Sequence, residues 1–225
     1  MTPIAIAHRG DPKGARENTL PAFAAAVALG ADMLELDLRR TRDDEIVVLH
    51  DQTLDRLWGV HGSVGDLDLA AVQGVGDGDV RIPTLREVLS AVQLPLMVDF
   101  TRREVVGGAL DAVLGAGALA RSLFVTGNVE ALRILRDHSP RARIGLTWVE
   151  GPTPPLALLQ ELGAEYWNPM FGLVTPEGVE AVHGAGLKVS TWTVDEPQDM
   201  DRVVDAGVDA VVSNRIAELV AFLRR

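Results

Sequence analysis

None of the 225 residues is cysteine, which excludes a disulfide framework and any thiolate metal site but assigns no redox compartment. Basic residues are in deficit: 21 Lys and Arg stand against 32 Asp and Glu, a formal net charge of −11. Such a balance suits neither a phosphate backbone nor an anionic membrane surface, so nucleic acid is not expected as a partner. No apolar run approaches the roughly eighteen residues of a membrane span, and stable membrane insertion is not expected. The start, Met1-Thr2-Pro3 and then a short apolar run, lacks the basic segment and long apolar stretch of a secretory leader. The expectation is a soluble, cytoplasmic protein. Linkers and low-complexity stretches are scarce as well. One domain over residues 1–225 is therefore expected, with 47% hydrophobic residues to fill its core.

What is present is a regular alternation. Strand-like apolar runs occur at Ile4–Ala7, Met33–Leu38, Ile46–Leu49, Leu96–Phe100, Leu123–Thr126, Ile144–Trp148, Glu165–Trp167, Lys188–Trp192 and Ala210–Val212, with helical periodicity between most of them. Alternating strands and helices imply a parallel sheet. Nine runs are one too many for an eightfold barrel. Only Arg39 to Glu45 separate the second run from the third, whereas a parallel crossover needs about a dozen residues or more. Ile46 to His50 should therefore return antiparallel, as a hairpin. Eight parallel strands remain, and the expected fold is an α/β, (β/α)8 TIM barrel with this hairpin above its mouth. An open doubly wound sheet is the alternative, disfavoured because no Gly-rich turn follows the first strand. Residues 52–83 hold several glycines and little helical period, and are expected to form a short, loop-like insertion. The Gly74-Val75-Gly76 spacing inside it follows no strand and opens no helix, which makes it a plain loop.

The chemistry is concentrated near the N-terminus. Glu35 and Asp37 are two apart in an apolar run and project from one face of a strand. Two like charges there call for a bound cation, and carboxylate oxygens favour Mg²⁺ or Ca²⁺. The bland alternative is a pair of exposed edge carboxylates. His8 and His50 each end an apolar run. Converging on a carboxylate cluster, two imidazoles suit a reaction in which one proton is removed and another donated. His61, His138 and His183 fall in a loop or on helix surfaces and read as structural.

Taken in order, His8-Arg9-Gly10, Glu17-Asn18-Thr19, Glu35-Leu36-Asp37 and His50-Asp51, followed by Thr53-Leu54-Asp55-Arg56 and Gly59, resemble the glycerophosphodiester phosphodiesterase family. The resemblance extends over nearly the whole chain. It implies metal-dependent hydrolysis of a small-molecule glycerophosphodiester, such as a deacylated phospholipid, to glycerol 3-phosphate and an alcohol. It further implies that Glu35, Asp37 and Asp99 hold the metal, Mg²⁺ or Ca²⁺, and that His8 and His50 are general acid and base, in an order the motifs leave open. Arg9 would fork onto the phosphate, or else form a salt bridge with Glu17 or another mouth carboxylate. Glu17 would lie near metal or substrate, or else serve as a first-turn acid of the following helix. Trp192, in Trp192-Thr193-Val194, would wall the substrate pocket or fill the barrel.

The departures concern the substrate. Asp99-Phe100-Thr101 stands where the family usually has Glu-x-Lys, so Thr101 leaves the phosphate short of one positive charge. Arg103, which shares the face of Asp99 and Thr101 if the strand continues that far, is the expected substitute at the substrate. Thr126-Gly127 stands where Ser-Phe is frequent, and Ser213-Asn214 where Thr-Asp is frequent. A lysophospholipid or another phosphodiester as substrate, or a noncatalytic barrel binding a phosphorylated ligand, are the alternatives.

Overall fold

In a computed structural model, which describes residues 2–225, the parallel strands close on one another and leave no open edge in the ring. β1 (Ile4–Ala7) pairs in parallel with β2 (Met33–Arg40) on one side and with β9 (Ala210–Ser213) on the other. From β2 the ladder continues through β4 (Leu96–Asp99), β5 (Ser122–Thr126), β6 (Arg143–Trp148), β7 (Tyr166–Pro169) and β8 (Lys188–Thr191) back to β9. The β1–β2 pairing overturns the doubly wound alternative and makes a closed eight-stranded parallel barrel. β3 (Ile46–Val48) is the extra strand, antiparallel to β2 with Leu38 opposite Val48 and Arg40 opposite Ile46. The short connection between the two dictates this return.

Around the ring run α1 (Leu20–Ala28), α4 (Leu85–Ala91), α5 (Val106–Gly115), α6 (Val129–His138), α7 (Leu156–Leu162), α8 (Pro176–Gly184), α9 (Pro197–Asp205) and α10 (Ile216–Leu223). Their starts carry local signals. Thr19 caps α1 and Pro21 sits in its first turn, where a missing N–H costs nothing. Thr84 and Glu87 form a reciprocal capping box at α4.

Both faces of the strands are buried, and the two-residue period sorts them. Ala5, Ala7, Leu34, Leu36, Leu96, Val98, Phe124 and Val211 join the core under the helices. Ile6, Met33, Met97, Leu123, Val125, Tyr166, Ala210 and Val212 pack together as the filling of the barrel. Counting two residues onward from these interior positions gives His8, Glu35 and then Asp37, Asp99, Asn168 and Asn214. The barrel thus changes from apolar to polar within one layer, at the C-terminal ends of its strands.

The stretch 52–83 departs from the loop expected of it. It contains α2 (Asp55–Trp58), a 3-10 turn at Val64–Asp66 and α3 (Leu69–Gln73). Its Leu54, Trp58, Val64, Val72 and Ile82 form an apolar cluster with Val47 and Leu49, apart from the barrel core. Helices of four and five residues are too short to repeat an apolar period, which is why the sequence shows none. Among the described residues no helix is long and apolar enough to cross a membrane.

Candidate active site

The turn after β1 is built on left-handed residues: Arg9 has φ 57°, Gly10 φ 84° and Asn18 φ 58°. A Cβ at Gly10 would lie 2.6 Å from the carbonyl carbon of Ala22, so only glycine lets this loop lie against α1. Asparagine tolerates the left-handed region better than most residues. There the Asn18 Nδ2 donates to Asp37 Oδ2 at 2.8 Å, and its Oδ1 accepts from the Asp37 N–H at 3.4 Å. The Arg9 N–H donates to Glu35 Oε2 at 2.9 Å. The loop therefore fixes both carboxylates of β2.

Asp37 on β2 lies directly opposite Asp99 on β4. One oxygen from each of Glu35, Asp37 and Asp99 lies within 4.8 Å of the others. Glu35 and Asp37 are buried and Asp99 is half-buried. Burial first, and then the charges of Asp37 and Asp99, raise Glu35 well above the usual carboxylate range. Asp99 is pushed up to about 7 by burial and by Asp37, even though Arg39 and Arg9 pull the other way. Arg9 Nε stands 3.1 Å from Asp37 Oδ2 while its Nη1 donates to Glu17 Oε1 at 2.8 Å. Three crowded carboxylates, all oxygen donors and short of positive charge, fit a hard divalent cation and leave the exposed-edge alternative without support.

A carboxyl that keeps its proton to a higher pH when folded stabilises the fold below its unfolded pKa. That contribution is lost as the pH rises through the folded value. For Asp99 the window runs from about 4 in the unfolded chain to about 7. Asp99→Asn, which mimics the protonated form, should therefore raise the melting temperature of chelator-treated protein at pH 8 and raise it less at pH 5. Equal shifts at the two pH values would exclude charge crowding at this site.

His8 adjoins the carboxylates and His50 follows the hairpin strand, and each ring is held through Nδ1. Asn214 Nδ2 donates to Asp195 Oδ2 at 2.8 Å, which makes Asn214 Oδ1 the acceptor for His8 Nδ1 at 2.7 Å. Asp195 is tied in turn to the Asn214 N–H and the Ser213 hydroxyl. His8 Nε2 then faces Glu35 Oε2, 3.8 Å away. Burial, with Arg9 adding to it, lowers the pKa of His8, which favours the neutral ring. His50, just past β3, has Nδ1 2.7 Å from Asp51 Oδ1. The hydrogen bond from Arg56 is the largest cause holding Asp51 down at about 2, and His50 contributes to it. Arg56 also donates to Glu17 Oε1 at 2.7 Å.

Of the residues expected at the site, His8, Arg9, Glu17, Glu35, Asp37, His50 and Asp99 are joined by these contacts. Glu17 lies outside α1, bound to Arg9 and Arg56, so it is not the first-turn acid of that helix. Trp192 is half-buried, packs on the barrel filling and donates from Nε1 to the Asn168 carbonyl at 3.0 Å. Arg103 requires correction. β4 ends at Asp99 and the chain enters a 3-10 turn at Arg103–Val105, so strand alternation does not carry Arg103 back to the mouth. Its Nη1 donates to Glu130 at 2.8 Å. The cation beside Thr101 is instead Arg39, whose Nη1 donates to the Thr101 hydroxyl at 3.2 Å. His61 pairs with Asp55, His138 bonds the Ile134 carbonyl and His183 pairs with Asp209, none of them in contact with the three carboxylates.

Sequence reasoning missed Arg39, Asn18, Asn214 and Asp195. Arg39 was within reach of it, since the two-residue step from Glu35 to Asp37 leads next to Arg39. Asn214 follows Val212 by the same rule, whereas no spacing marks Asp195.

The chain matches the model of the glycerophosphoryl diester phosphodiesterase family over residues 8–218. It is 32% identical to a glycerophosphodiester phosphodiesterase of Caldanaerobacter subterraneus subsp. tengcongensis, across 100% of this chain and 99% of that one. A human lysophospholipase D is 39% identical over 109 residues, 42% of this chain and 35% of that protein. In fold, the chain superposes with TM-score 0.91 at 22% identity on an Oleispira antarctica phosphodiesterase solved with the product sn-glycerol-3-phosphate, over 100% and 98% of the two chains.

Proposed function

Because the chain belongs to the glycerophosphoryl diester phosphodiesterase family, and so among phosphoric diester hydrolases, we propose that it hydrolyses small glycerophosphodiesters to glycerol 3-phosphate and an alcohol, dependent on a divalent metal. The observation that carries this reading is the group of three carboxylates within 4.8 Å of one another, with His8 Nε2 facing Glu35 and both imidazoles pinned through Nδ1. Bound by Glu35, Asp37 and Asp99, Mg²⁺ or Ca²⁺ would neutralise phosphate charge and lower the pKa of a hydroxyl held beside it.

The protein's own groups divide the remaining work. Arg9, whose guanidinium stands between Asp37 and Glu17, would turn a donor to a phosphate oxygen when substrate binds. His8 keeps its proton on Nδ1, toward Asn214, and presents the Nε2 lone pair. As base it takes the proton of the attacking oxygen, either water or the substrate's own 2-hydroxyl; in the latter case the alcohol leaves from a cyclic phosphate that water then opens to glycerol 3-phosphate, returning the proton to the 2-oxygen. His50, with the Asp51 carboxylate on Nδ1, donates from Nε2 to the departing alcohol. Trp192, polar at Nε1 and apolar along its body, walls the glycerol side.

The test is a panel of glycerophosphodiesters with varied head groups, and of lysophospholipids, assayed with Mg²⁺, Ca²⁺ or chelator. Metal-dependent release of glycerol 3-phosphate is the expected result. The match to a lysophospholipase D over 42% of the chain supports a second reading, under which only lysophospholipids are cleaved. Binding of glycerol 3-phosphate with no turnover on any member would leave the noncatalytic barrel.

A further inference from the structure

His50 stands where the hairpin ladder runs out. β3 ends at Val48, and the Leu49 N–H still donates to the Asp37 carbonyl at 2.9 Å. The next two carbonyls are taken by a side chain of the opposite strand: Arg39 Nη2 donates to the His50 carbonyl and Nε to that of Asp51, at 3.3 Å. Arg39 Nη1 donates to the Leu38 carbonyl at 3.0 Å and to the Thr101 hydroxyl at 3.2 Å. A single guanidinium thus binds the histidine's backbone to the end of β2 and to the segment following β4, which are the two elements that hold the carboxylates.

The placement follows from elementary rules. Strand alternation puts Arg39 on the face of Glu35 and Asp37, and Asp37 and Asp99 attract its charge. A guanidinium carries five donors in a rigid planar fork, while an ammonium is a point charge with freely rotating donors. Balancing Asp37 and Asp99 would require only the charge. Directed bonds to the carbonyls of both His50 and Asp51 require the fork.

We propose that Arg39 is a positioning residue for His50, acting through the backbone of that histidine and fixing where its ring stands. The inference rests on the reading of His50 as a proton-transfer group. A misplacement of about 1 Å at a reacting group can cost on the order of a hundredfold in rate. Arg39→Lys keeps the charge and loses the fork.

The experiment compares Arg39→Lys in the wild-type and His50→Ala backgrounds, with glycerophosphocholine and Mg²⁺, alongside Mg²⁺ affinity by calorimetry. Arg39→Lys should lower kcat by about ten- to a hundredfold with KM within a few-fold, and Mg²⁺ affinity should hold. In the His50→Ala background the same substitution should cost less than about threefold, since a residue acting through His50 is non-additive with it. Full turnover in Arg39→Lys would mean that charge alone suffices and would overturn the proposal. An equal loss in both backgrounds would overturn it too, by placing the effect elsewhere. If His50→Ala itself keeps wild-type turnover, the functional reading of His50 falls and takes this inference with it. Should Arg39→Lys melt below the assay temperature, Arg39→Gln, which retains an amide donor for one carbonyl, is compared in the same two backgrounds with the same outcomes.

Discussion

Alanine at His8 or at His50 should each lower turnover by about 10² to 10⁴, with the fold retained. The His50 side chain is 44% exposed, and His8 lies at the polar end of the barrel rather than in its apolar filling. His183, paired with Asp209 outside the mouth, should tolerate alanine within a few-fold. The two large losses should differ in kind. A substrate with a good leaving group, such as an aryl phosphodiester, needs no proton on departure. His50→Ala should therefore recover much of its rate on that substrate, whereas His8→Ala should not, because the attacking oxygen must still lose its proton. Steady-state kinetics of the three variants on an alkyl and an aryl substrate decides the matter. Similar small effects at all three histidines would remove the acid–base assignment, and rescue of His8→Ala alone would exchange the two roles.

Asp37→Asn should abolish metal binding and reduce turnover by a comparable factor, about 10² to 10⁴, the several kcal/mol that a metal contributes to charge stabilisation. Asp37 is the hub: it raises both Glu35 and Asp99, accepts from Asn18 and faces Arg9. Removing its charge relieves the other two carboxylates. The metal-free variant should consequently melt higher than metal-free wild type near neutral pH, while the stabilisation that added Mg²⁺ gives wild type by mass action disappears. Calorimetric titration with Mg²⁺ and melting curves with and without it provide both readouts. Unchanged metal affinity in Asp37→Asn would refute the three-carboxylate site.

Wherever a local rule set the geometry, the sequence could be read directly. The brevity of the segment from Arg39 to Glu45 required the antiparallel return of β3, and the two-residue step placed Glu35 and Asp37 together. That step was not followed far enough for Arg39, and was followed too far for Arg103, because nothing in Thr101-Arg102-Arg103 announces that the strand has stopped at Asp99. The two-residue step puts Asn214 on the interior face with His8, but does not by itself bring the two into contact. Asn214 lies 206 residues away in the chain and meets His8 only because β9 closes the ring against β1. The count of eight strands implied ring closure, but no single window of the sequence pairs these two side chains.

β3 has two allegiances. Ile46 and Val48 belong to the main core, while Val47 and Leu49 belong to the small cluster of the stretch beyond it. That cluster has few apolar side chains, and units of that size open locally at lower free energy than the core they rest on. His50 is the residue immediately after Leu49. The barrel alone secures Glu35, Asp37 and Asp99, whereas His50 is held between the barrel, through Arg39, and this smaller unit. Opening of that unit would then release one side of His50 while the barrel, and with it the carboxylate site, stayed intact.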